Sequence, residues 1–317
     1  MNRHLPLSLS TAVALAACGE PDAPPPAPLP ANSFAFAVFG DGPYSRGEAR
    51  RFDWLVEEVN EADLAFVHVG DILGADCSDD VYDDRLEKMN SIRHPVVYTP
   101  GDNEWTDCYP RGHDPLDRLA RIRRTFFRDP DRSLGGRRMP LQTQARDRRY
   151  REFRENQRWT RGGFVFATVH LVGSANGTRP FRGRRRENDA EVARRTAAAI
   201  AWMDAAFAEA RRTGARGVVL VTHANVGIDP RNEPRQGYGG FVDALERQVA
   251  GFRGPVVLIH GDTHHARVDH PLRDRGGEAY RNFTRVESYG SPDIGWTRVV
   301  VDSVAGRVTA YEPRKVR

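Results

Sequence analysis

Carboxylates and imidazoles recur directly after apolar, strand-like segments of this sequence. The segments "FAVFGD", "AFVHVGD", "VVYTPGD", "VVLVTH" and "VVLIHGDTH" deliver, in that order, Asp41, Asp71, Asp102, His223, and Asp262 with His264. One such residue is usually a turn former or a helix cap. Five such segments in series mean more, because crowded carboxylates repel one another unless cations lie between them. The pattern therefore predicts a metal-binding site where the ends of the strands meet.

The elements that must position these residues alternate along the chain. Apolar strand patterns cover "FAFAVFG", "ADLAFVHVG", "HPVVYTPG", "GGFVFATVHLVG", "ARGVVLVTHAN" and "GPVVLIHGDTHH", with helix patterns between most of them. One predicted helix has Asp114 as its cap and Pro115 at its first position. The charged segment 129–160 lacks a clear period and is interpreted as a surface insertion. Strands interleaved with helices, ending in antiparallel-looking strands, predict a mixed α/β layered architecture whose polar strand ends converge.

The N-terminus has the pattern of a secretory signal. A basic start, about a dozen apolar residues and small residues before Cys18 are typical of a signal peptide and too short for a membrane span. The stretch Leu15–Cys18 also resembles the bacterial lipobox. We expect a signal peptide over 1–17, lipidation at Cys18, a Pro-rich tether over 18–33 and one domain over 34–313. The chain would then be lipid-anchored in the cell envelope, at the outer membrane facing the periplasm; the alternative is a soluble secreted protein.

Composition limits the partners. The net charge of the 317-residue chain is only +4, and its 43 acidic residues are interspersed with the basic ones. Charge therefore implies no specific nucleic-acid partner. Besides Cys18 the chain has two cysteines, Cys77 and Cys108, and in an oxidising envelope such a pair predicts a disulfide. Each lies six residues after an aspartate of the series, so the bond would brace two of the predicted metal loops.

The series of strand-end residues resembles the calcineurin-like metallophosphoesterase family over nearly all of residues 34–313. The counterparts of the family motifs are Asp41-Gly42-Pro43, Gly70-Asp71, Gly101-Asp102-Asn103-Glu104, His223 and Gly261-Asp262-Thr263-His264. The resemblance implies a four-layer α-β-β-α sandwich with two metals at the strand ends and an activated water between them. It implies hydrolysis of phosphoric esters, with a phosphorylated small molecule or a phosphodiester as substrate; monoester against diester, and the oligomeric state, stay open.

The resemblance also implies a role for each matched residue. The first metal would be held by Asp41, Asp71 and His264, with Asp71 bridging to a second metal held by Asp102, His223 and Asp262. Pro43 stands where the family has a histidine, so the first metal would lose a ligand or take one from nearby, such as Tyr44. Asp102 replaces an asparagine and Asp262 a histidine. These carboxylates make the ligand set harder, which favours Mn²⁺, Mg²⁺ or Ca²⁺ over Zn²⁺ or Fe.

Two further requirements are a proton for the leaving group and positive charge for the phosphate. Asn103 occupies the position of the family's histidine and gives up no proton at neutral pH, although it can hydrogen-bond a phosphoryl oxygen. Glu104 or His265 could act as the acid instead; alternatively Glu104 is a structural acceptor and His265 faces solvent. Arg111 or the run 182–186 could supply positive charge, unless these arginines are only solvated. We expect a preference for good leaving groups, or slow turnover.

Other polar residues near the predicted site have open roles. Asn176 in "GSANG" lies either at the rim of the cleft or in a plain turn. Trp105 either packs against the substrate or anchors its loop. The alternative for the whole protein is a non-catalytic relative whose altered ligands hold a structural or vestigial metal site, which Pro43 and Asn103 favour.

Overall fold

The structure is a computed structural model that describes residues 26–74, 76–229 and 234–316. The predicted signal peptide, the lipidation site at Cys18 and the first part of the tether lie outside the described residues, so they stay predictions. Within the described ranges, no helix is both long and apolar enough to cross a membrane.

The domain is built on two β-sheets. Its strands are β1 (Ser33–Phe39), β2 (Ala65–His68), β3 (Val96–Tyr98), β4 (Gln142–Thr143), β5 (Gln157–Arg161), β6 (Phe164–Thr168), β7 (Gly217–Val221), β8 (Val256–His260), β9 (Arg267–Asp269), β10 (Phe283–Glu287), β11 (Gly295–Asp302) and β12 (Arg307–Lys315). The first sheet has the order β12-β11-β1-β2-β3 and the second the order β4-β5-β6-β7-β8-β10-β9. The strands β1, β2 and β3 are parallel, and so are β6, β7, β8 and β10.

Helices cover the outer faces of both sheets. They are α1 (Arg46–Glu61), α2 (Asp79–Ser91), α3 (Pro115–Thr125), α5 (Arg186–Thr213) and α6 (Gly239–Ala250), while a single turn, α4 (Gly173–Gly177), lies in the loop after β6. The predicted cap of α3 is confirmed, because the Asp114 side chain accepts a hydrogen bond of 2.8 Å from the Leu116 N–H. The helix α5 ends at Gly214, which adopts the left-handed conformation common after helix C-termini.

Three hydrophobic clusters define the layers. Alternate residues of β1 point to opposite sides: Phe36 and Val38 pack between the sheets, whereas Ala37 and Phe39 pack under the helices. The inter-sheet cluster joins the first sheet to Phe166 and its neighbours in the second. Helices α1, α2 and α3 contribute to the cluster outside the first sheet, and α5 and α6 to the one outside the second. The order is therefore helix, sheet, sheet, helix, as the predicted α-β-β-α sandwich requires.

The segment 129–160 corrects one prediction. The sequence indicates a surface insertion there, but the segment supplies β4, and β5 begins within it and pairs with β6. Its polar residues are partly internal: Asn156 is fully buried, donates to the Gln144 side chain at 2.6 Å and accepts from the His170 N–H at 2.8 Å. The segment has no apolar period although part of it is internal, because its buried positions are polar and are satisfied by hydrogen bonds. The lack of a period therefore did not indicate exposure.

Candidate metal centre

All six predicted metal ligands lie on loops that follow strands at one end of the sandwich. Asp41 follows β1, Asp71 follows β2 and Asp102 follows β3; His223 follows β7, and Asp262 with His264 follows β8. The loops therefore come from both sheets, and the strands that they follow are parallel within each sheet. Because the carboxyl ends of parallel strands meet at one edge, residues up to about 220 positions apart in sequence come into contact, as Asp41 and Asp262 do through a hydrogen bond of 2.9 Å.

The side chains form two overlapping groups of donor atoms. Within each group the atoms lie within 4.8 Å of one another; one group is Asp41, Asp71 and His223, and the other is Asp102, His223 and Asp262. The second group contains the three residues expected to hold the second metal. In the first group His223 takes the place expected for His264, whose Nε2 lies 3.8 Å from Asp41 Oδ1. The assignment of each ligand to one ion stays a prediction.

Both histidines are oriented as metal ligands usually are. The His223 Nδ1 lies 2.9 Å from the Val69 carbonyl oxygen, so a proton on Nδ1 donates to it and Nε2 faces Asp102 Oδ1 at 2.9 Å. The His264 Nδ1 lies 2.7 Å from the Ser291 carbonyl oxygen in the same way. Histidines that bind metals almost always donate their other ring N–H to a carbonyl or carboxylate. The donor set and its orientation therefore fit divalent cations.

Tyr44 lies next to Pro43, the position that was expected to leave the first metal without one ligand. The Pro43 side chain has no atom that can bind a metal. The Tyr44 hydroxyl donates a hydrogen bond to Asp71 Oδ2 at 2.9 Å and lies 3.5 Å from His264 Nε2. Asp71 Oδ1 accepts in addition from the Asn103 backbone N–H at 3.0 Å. The Asp71 carboxylate is thus fixed from two sides, and Tyr44 adds an oxygen next to the first group of donors.

The backbone of the site is held in an uncommon conformation. Asp41, Asp71, Asp262 and His264 all have positive φ, at 55°, 55°, 76° and 60°. Residues other than glycine rarely adopt this region, and each costs of order 1 kcal/mol or more. Close packing restricts the loops further, since a Cβ on Gly101 would lie 2.0 Å from Asp71 Oδ1. Local strain of this kind is concentrated at functional sites.

Burial shapes the charge state of the site. It raises the pKa of Asp41 to about 8 and that of Asp262 to about 6, and it raises the pKa of Asp71 well above its ordinary value. Burial acts the same way on Asp102, but the hydrogen bond and charge of His223 outweigh it and lower the pKa of that carboxyl. Burial opposes protonation of His223, yet the charges of the surrounding aspartates raise its pKa well above the ordinary range. Four carboxylates thus share one imidazolium, and the site favours added cations.

The turn α4 contributes a residue that the sequence did not single out. Ser174, Ala175 and Asn176 all have left-handed φ and ψ angles, at φ of 52°, 54° and 59°. The Ser174 Oγ lies 2.7 Å from Asp102 Oδ2 and 2.8 Å from Asp107 Oδ1, so its hydroxyl links these two carboxyl groups. Burial and the charge of Asp102 raise the pKa of Asp107. The strand-end signal of "VHLVGSANG" indicated the correct loop.

Asn176 is interior, not at the rim of the cleft. Its side chain is fully buried, and its side-chain and backbone carbonyl oxygens both accept from the Arg195 guanidinium, the backbone oxygen at 3.0 Å. Arg195 is also fully buried, bonds Glu191 at 2.9 Å and lies over the Trp105 ring at 5.2 Å. The role of this cluster is structural, because its polar groups bond one another and hold the left-handed turn. Trp105, only 2% exposed, therefore anchors its loop, the second of its two predicted roles.

The candidates for the leaving-group acid differ in burial and in hydrogen bonding. Glu104 is fully buried and accepts from the Tyr98 hydroxyl at 2.9 Å and from the Ile72 and Gly101 backbone N–H groups, each at 3.1 Å. These contacts make it a structural acceptor, and the prediction that it acts as an acid is corrected. Its carboxylate oxygens accept hydrogen bonds from the loops that they connect.

Asn103 and His265 keep positions at the site. Asn103 reaches Asp71 through its backbone N–H, as described above, and its side chain is half-buried. His265 is exposed and lines the open cleft beside Asp262. Its backbone N–H donates to Glu287 at 3.0 Å, which fixes the loop at this position. The catalytic roles of both residues stay predictions.

Three of the predicted arginines have polar partners outside the site. Arg111 donates to the Asp107 carbonyl oxygen at 2.7 Å on the exposed face of its own 3-10 helix. In the run 182–186, Arg184 pairs with Asp189 at 2.7 Å and Arg185 pairs with Asp114 at 2.7 Å. These contacts do not support their assignment as phosphate ligands.

The disulfide between Cys77 and Cys108 is present. It joins residues 31 positions apart with a Cα–Cα distance of 6.0 Å, and both cysteines are buried. Since Cys77 follows the Asp71 loop and Cys108 lies in the 3-10 helix after Asp102, the bond ties two loops of the site together. This arrangement is the one that the spacing of the cysteines predicts.

Comparisons with known proteins found similar solved structures only. No protein-family model matches the chain, and no curated protein matches it in sequence. One similar structure, from Staphylococcus aureus, was provisionally named a 5'-nucleotidase and solved in complex with α-ketoglutarate; identity is 14% and the TM-score 0.48. The match covers 90% of this chain and 54% of that one, little more than half of its length. Another is TT1561 of Thermus thermophilus, at 11% identity and a TM-score of 0.48, covering 89% of this chain and 99% of that one.

Proposed function

We propose that this protein is a metal-dependent hydrolase of phosphoric esters, related to the calcineurin-like metallophosphoesterases. The observation that carries the proposal is the convergence of four aspartates and His223 into two overlapping donor groups. A buried carboxylate cluster of this size is unfavourable unless cations neutralise it. Two divalent cations match its charge, and the excess of oxygen over nitrogen donors favours Mn²⁺, Mg²⁺ or Ca²⁺.

The residues around the donors support this chemistry. Divalent cations at such a site would lower the pKa of a water and neutralise the phosphoryl oxygens during displacement. The chain would contribute orientation: Tyr44 and the Asn103 N–H fix Asp71, and Ser174 fixes Asp102. With Glu104 occupied as a structural acceptor, His265 is the acid candidate that lines the cleft. We therefore expect aryl phosphate esters to be hydrolysed faster than alkyl esters. Equal rates would contradict the inference that the site lacks an efficient proton donor for the leaving group.

The location in the cell follows from the N-terminal sequence and belongs to the same proposal. We infer a lipid anchor at Cys18 and a tether that leads into β1, with the Ala27 carbonyl oxygen accepting from Arg298 at 2.8 Å. Metabolic labelling with palmitate tests the anchor: label in the natural chain and none in Cys18→Ala is expected, and equal label would contradict it.

The decisive experiment measures metal and activity together. The domain from residue 26 onward would be purified as the natural form and as Asp71→Asn, loaded with Mn²⁺, analysed for bound metal and assayed on phosphoric esters. Asp117→Asn, an exposed aspartate of α3, is the matched control. We expect metal content and activity to fall in Asp71→Asn alone. If neither changes, the proposed site is wrong.

A non-catalytic protein of the same fold is the second candidate. Pro43 supplies no ligand and Asn103 no acid, and both substitutions favour it. Stoichiometric metal binding that depends on Asp71, without turnover on aryl monoesters or diesters, would indicate a structural or vestigial metal site. Turnover that depends on Asp71 would exclude this candidate.

A further inference from the structure

The proposed site lacks positive charge for a highly charged substrate. Its four aspartates carry four negative charges, which two divalent cations only neutralise. A phosphate monoester carries close to two negative charges near neutral pH, by analogy with phosphorylated side chains. A phosphodiester carries one. A site that binds monoesters well therefore needs a cation from the protein, within reach of the cleft beside the metal ligands.

Arg179 is in the right place to supply it. An open cleft of about 590 Å³ beside the donor groups is lined by Ser174, Arg179, Asn225, Asp262 and His265, among others. Arg179 also lines the smaller neighbouring cleft that contains Asp107.

The guanidinium of Arg179 is available for a ligand. It has no hydrogen bond or ion pair to any residue in the described part of the chain, and the residue is exposed. The other arginine of this cleft, Arg267, is already paired with Glu287 at 2.7 Å. A carboxylate-rich site normally attracts and pairs a nearby arginine, so an arginine left open toward the cleft is the observation that points to an anionic ligand.

The backbone around Arg179 is well fixed. Its N–H donates to the Ser174 carbonyl oxygen at 3.4 Å, and its own carbonyl oxygen accepts from Arg184 at 3.3 Å. Arg179 therefore follows directly from the left-handed turn that places the Ser174 hydroxyl on Asp102. The same turn thus positions a contact to a metal ligand and a cation on the wall of the cleft.

We propose that Arg179 binds the phosphoryl group of the substrate and makes this site select phosphate monoesters over phosphodiesters. The inference rests on the proposed phosphoesterase function and adds the substrate class. A guanidinium can donate two parallel hydrogen bonds to two phosphoryl oxygens. A monoester keeps three non-bridging oxygens for the metals and Arg179 together, whereas a diester has two, so the arginine contributes more to monoester binding.

The test compares two substrates in three proteins. Kinetics on an aryl phosphate monoester and an aryl phosphodiester would be measured with Mn²⁺ for the natural protein, Arg179→Gln and Arg253→Gln. Arg253 is the matched control because it is exposed and lies before β8, at the end of the strands opposite the site. For Arg179→Gln we expect kcat/KM on the monoester to fall about 10- to 100-fold, mainly through KM, and on the diester less than about threefold. Arg179→Lys should recover part of the loss.

Equal losses on both esters, or no loss on either, would overturn the proposal while leaving the hydrolase function intact. Binding provides a readout that needs no turnover. Calorimetric titration of the Mn²⁺-loaded protein with inorganic phosphate should show an affinity about tenfold weaker in Arg179→Gln and unchanged in Arg253→Gln. If the natural protein hydrolyses neither ester, the proposed function fails. The Arg179 inference is then decided by this titration alone, and unchanged phosphate affinity refutes it.

Discussion

Replacing Asp71 with asparagine should change the stability of the protein in opposite directions without and with divalent cations. Asp71 is 5% exposed, and burial together with the charges of Asp102, Glu104 and Asp41 raises its pKa well above 3.8. In the metal-free protein its ionised form is therefore unfavourable at neutral pH. Asparagine keeps the shape of the side chain and a carbonyl oxygen for the Asn103 N–H, but it removes the charge.

The size of the effect follows from the geometry. Donor atoms of Asp71 and Asp41 lie within 4.8 Å of each other, where two unit charges repel by about 3.5 kcal/mol at an effective dielectric constant of 20. The His223 imidazolium, 3.4 Å from Asp71 Oδ1, offsets part of this repulsion. We expect a net gain of about 1–3 kcal/mol in the free energy of unfolding, which corresponds to a rise in Tm of roughly 2–10 °C.

The pKa shift of Asp71 also predicts how the change in stability depends on pH. A carboxyl whose folded pKa is raised contributes stability that is present below its unfolded pKa, 3.8 for Asp71, and is lost as the pH rises through the folded pKa. The gain in Asp71→Asn should therefore be present at pH 8 and small near pH 4, where the folded carboxyl of the natural protein is protonated and the unfolded one is near its own pKa. With Mn²⁺ at about 1,000 times its Kd the order reverses, because bound ligand then stabilises the natural protein by about 4.1 kcal/mol, more than the gain of the variant.

The assay is thermal unfolding of the natural protein, Asp71→Asn and Asp117→Asn at pH 4 and pH 8, each with a chelator and with Mn²⁺. The exposed Asp117 should show a difference of no more than about 0.5 kcal/mol under every condition. A lower Tm for metal-free Asp71→Asn at pH 8 would refute the electrostatic reasoning. Equal stabilisation of both proteins by Mn²⁺ would refute the role of Asp71 as a ligand.

Three other substitutions probe the support of the site. Tyr44→Phe removes the hydroxyl that fixes Asp71, and we expect Mn²⁺ affinity about tenfold or more lower with unchanged Tm of the metal-free protein; unchanged affinity in calorimetry would exclude this role. Ser174→Ala should lower Mn²⁺ affinity about 10- to 100-fold, and an unchanged value would contradict the contact to the metal ligand. Replacing Cys77 and Cys108 together by serine opens a loop of 31 residues and should cost about 3.5–4 kcal/mol in denaturant unfolding, whereas a loss below 1 kcal/mol would contradict the estimate.

The strand-end residues could be predicted from sequence because their positions depend on simple periodicity. Buried parallel strands appear as continuous apolar runs, since both of their faces are covered, and the residue after each run lies at the carboxyl edge of its sheet. Asp41, Asp71, Asp102, His223 and Asp262 satisfy this rule, and the structure brings them together. The cysteine pair follows from the same logic, because equal offsets from two neighbouring strand ends place Cys77 and Cys108 side by side.

Residues that act through a side-chain direction could not be predicted in this way. Ser174 reaches Asp102 only because three successive residues without glycine adopt left-handed angles, and the sequence "SAN" gives no signal for that conformation. The conformation depends on tertiary contacts, chiefly the buried Arg195 that bonds Asn176. Glu104 shows the converse error: its position in a family motif indicated chemistry, whereas its contacts with Tyr98 and the loop N–H groups give it a structural role.

Charge balance distinguishes the two candidate functions more sharply than the missing histidine does. A site that had lost its metal would remain unfavourable, because burial raises the pKa of three of its aspartates, Asp41, Asp71 and Asp262, and makes their ionised forms costly. Replacing any of them with an uncharged residue would stabilise such a protein, and stabilising substitutions of this kind are easily reached. The chain instead keeps every carboxylate, directs Nε2 of both histidines toward them and fixes Asp71 with Tyr44. That combination is favourable only when cations are bound, which is why the reversal in the stability of Asp71→Asn on adding Mn²⁺ is the most informative measurement.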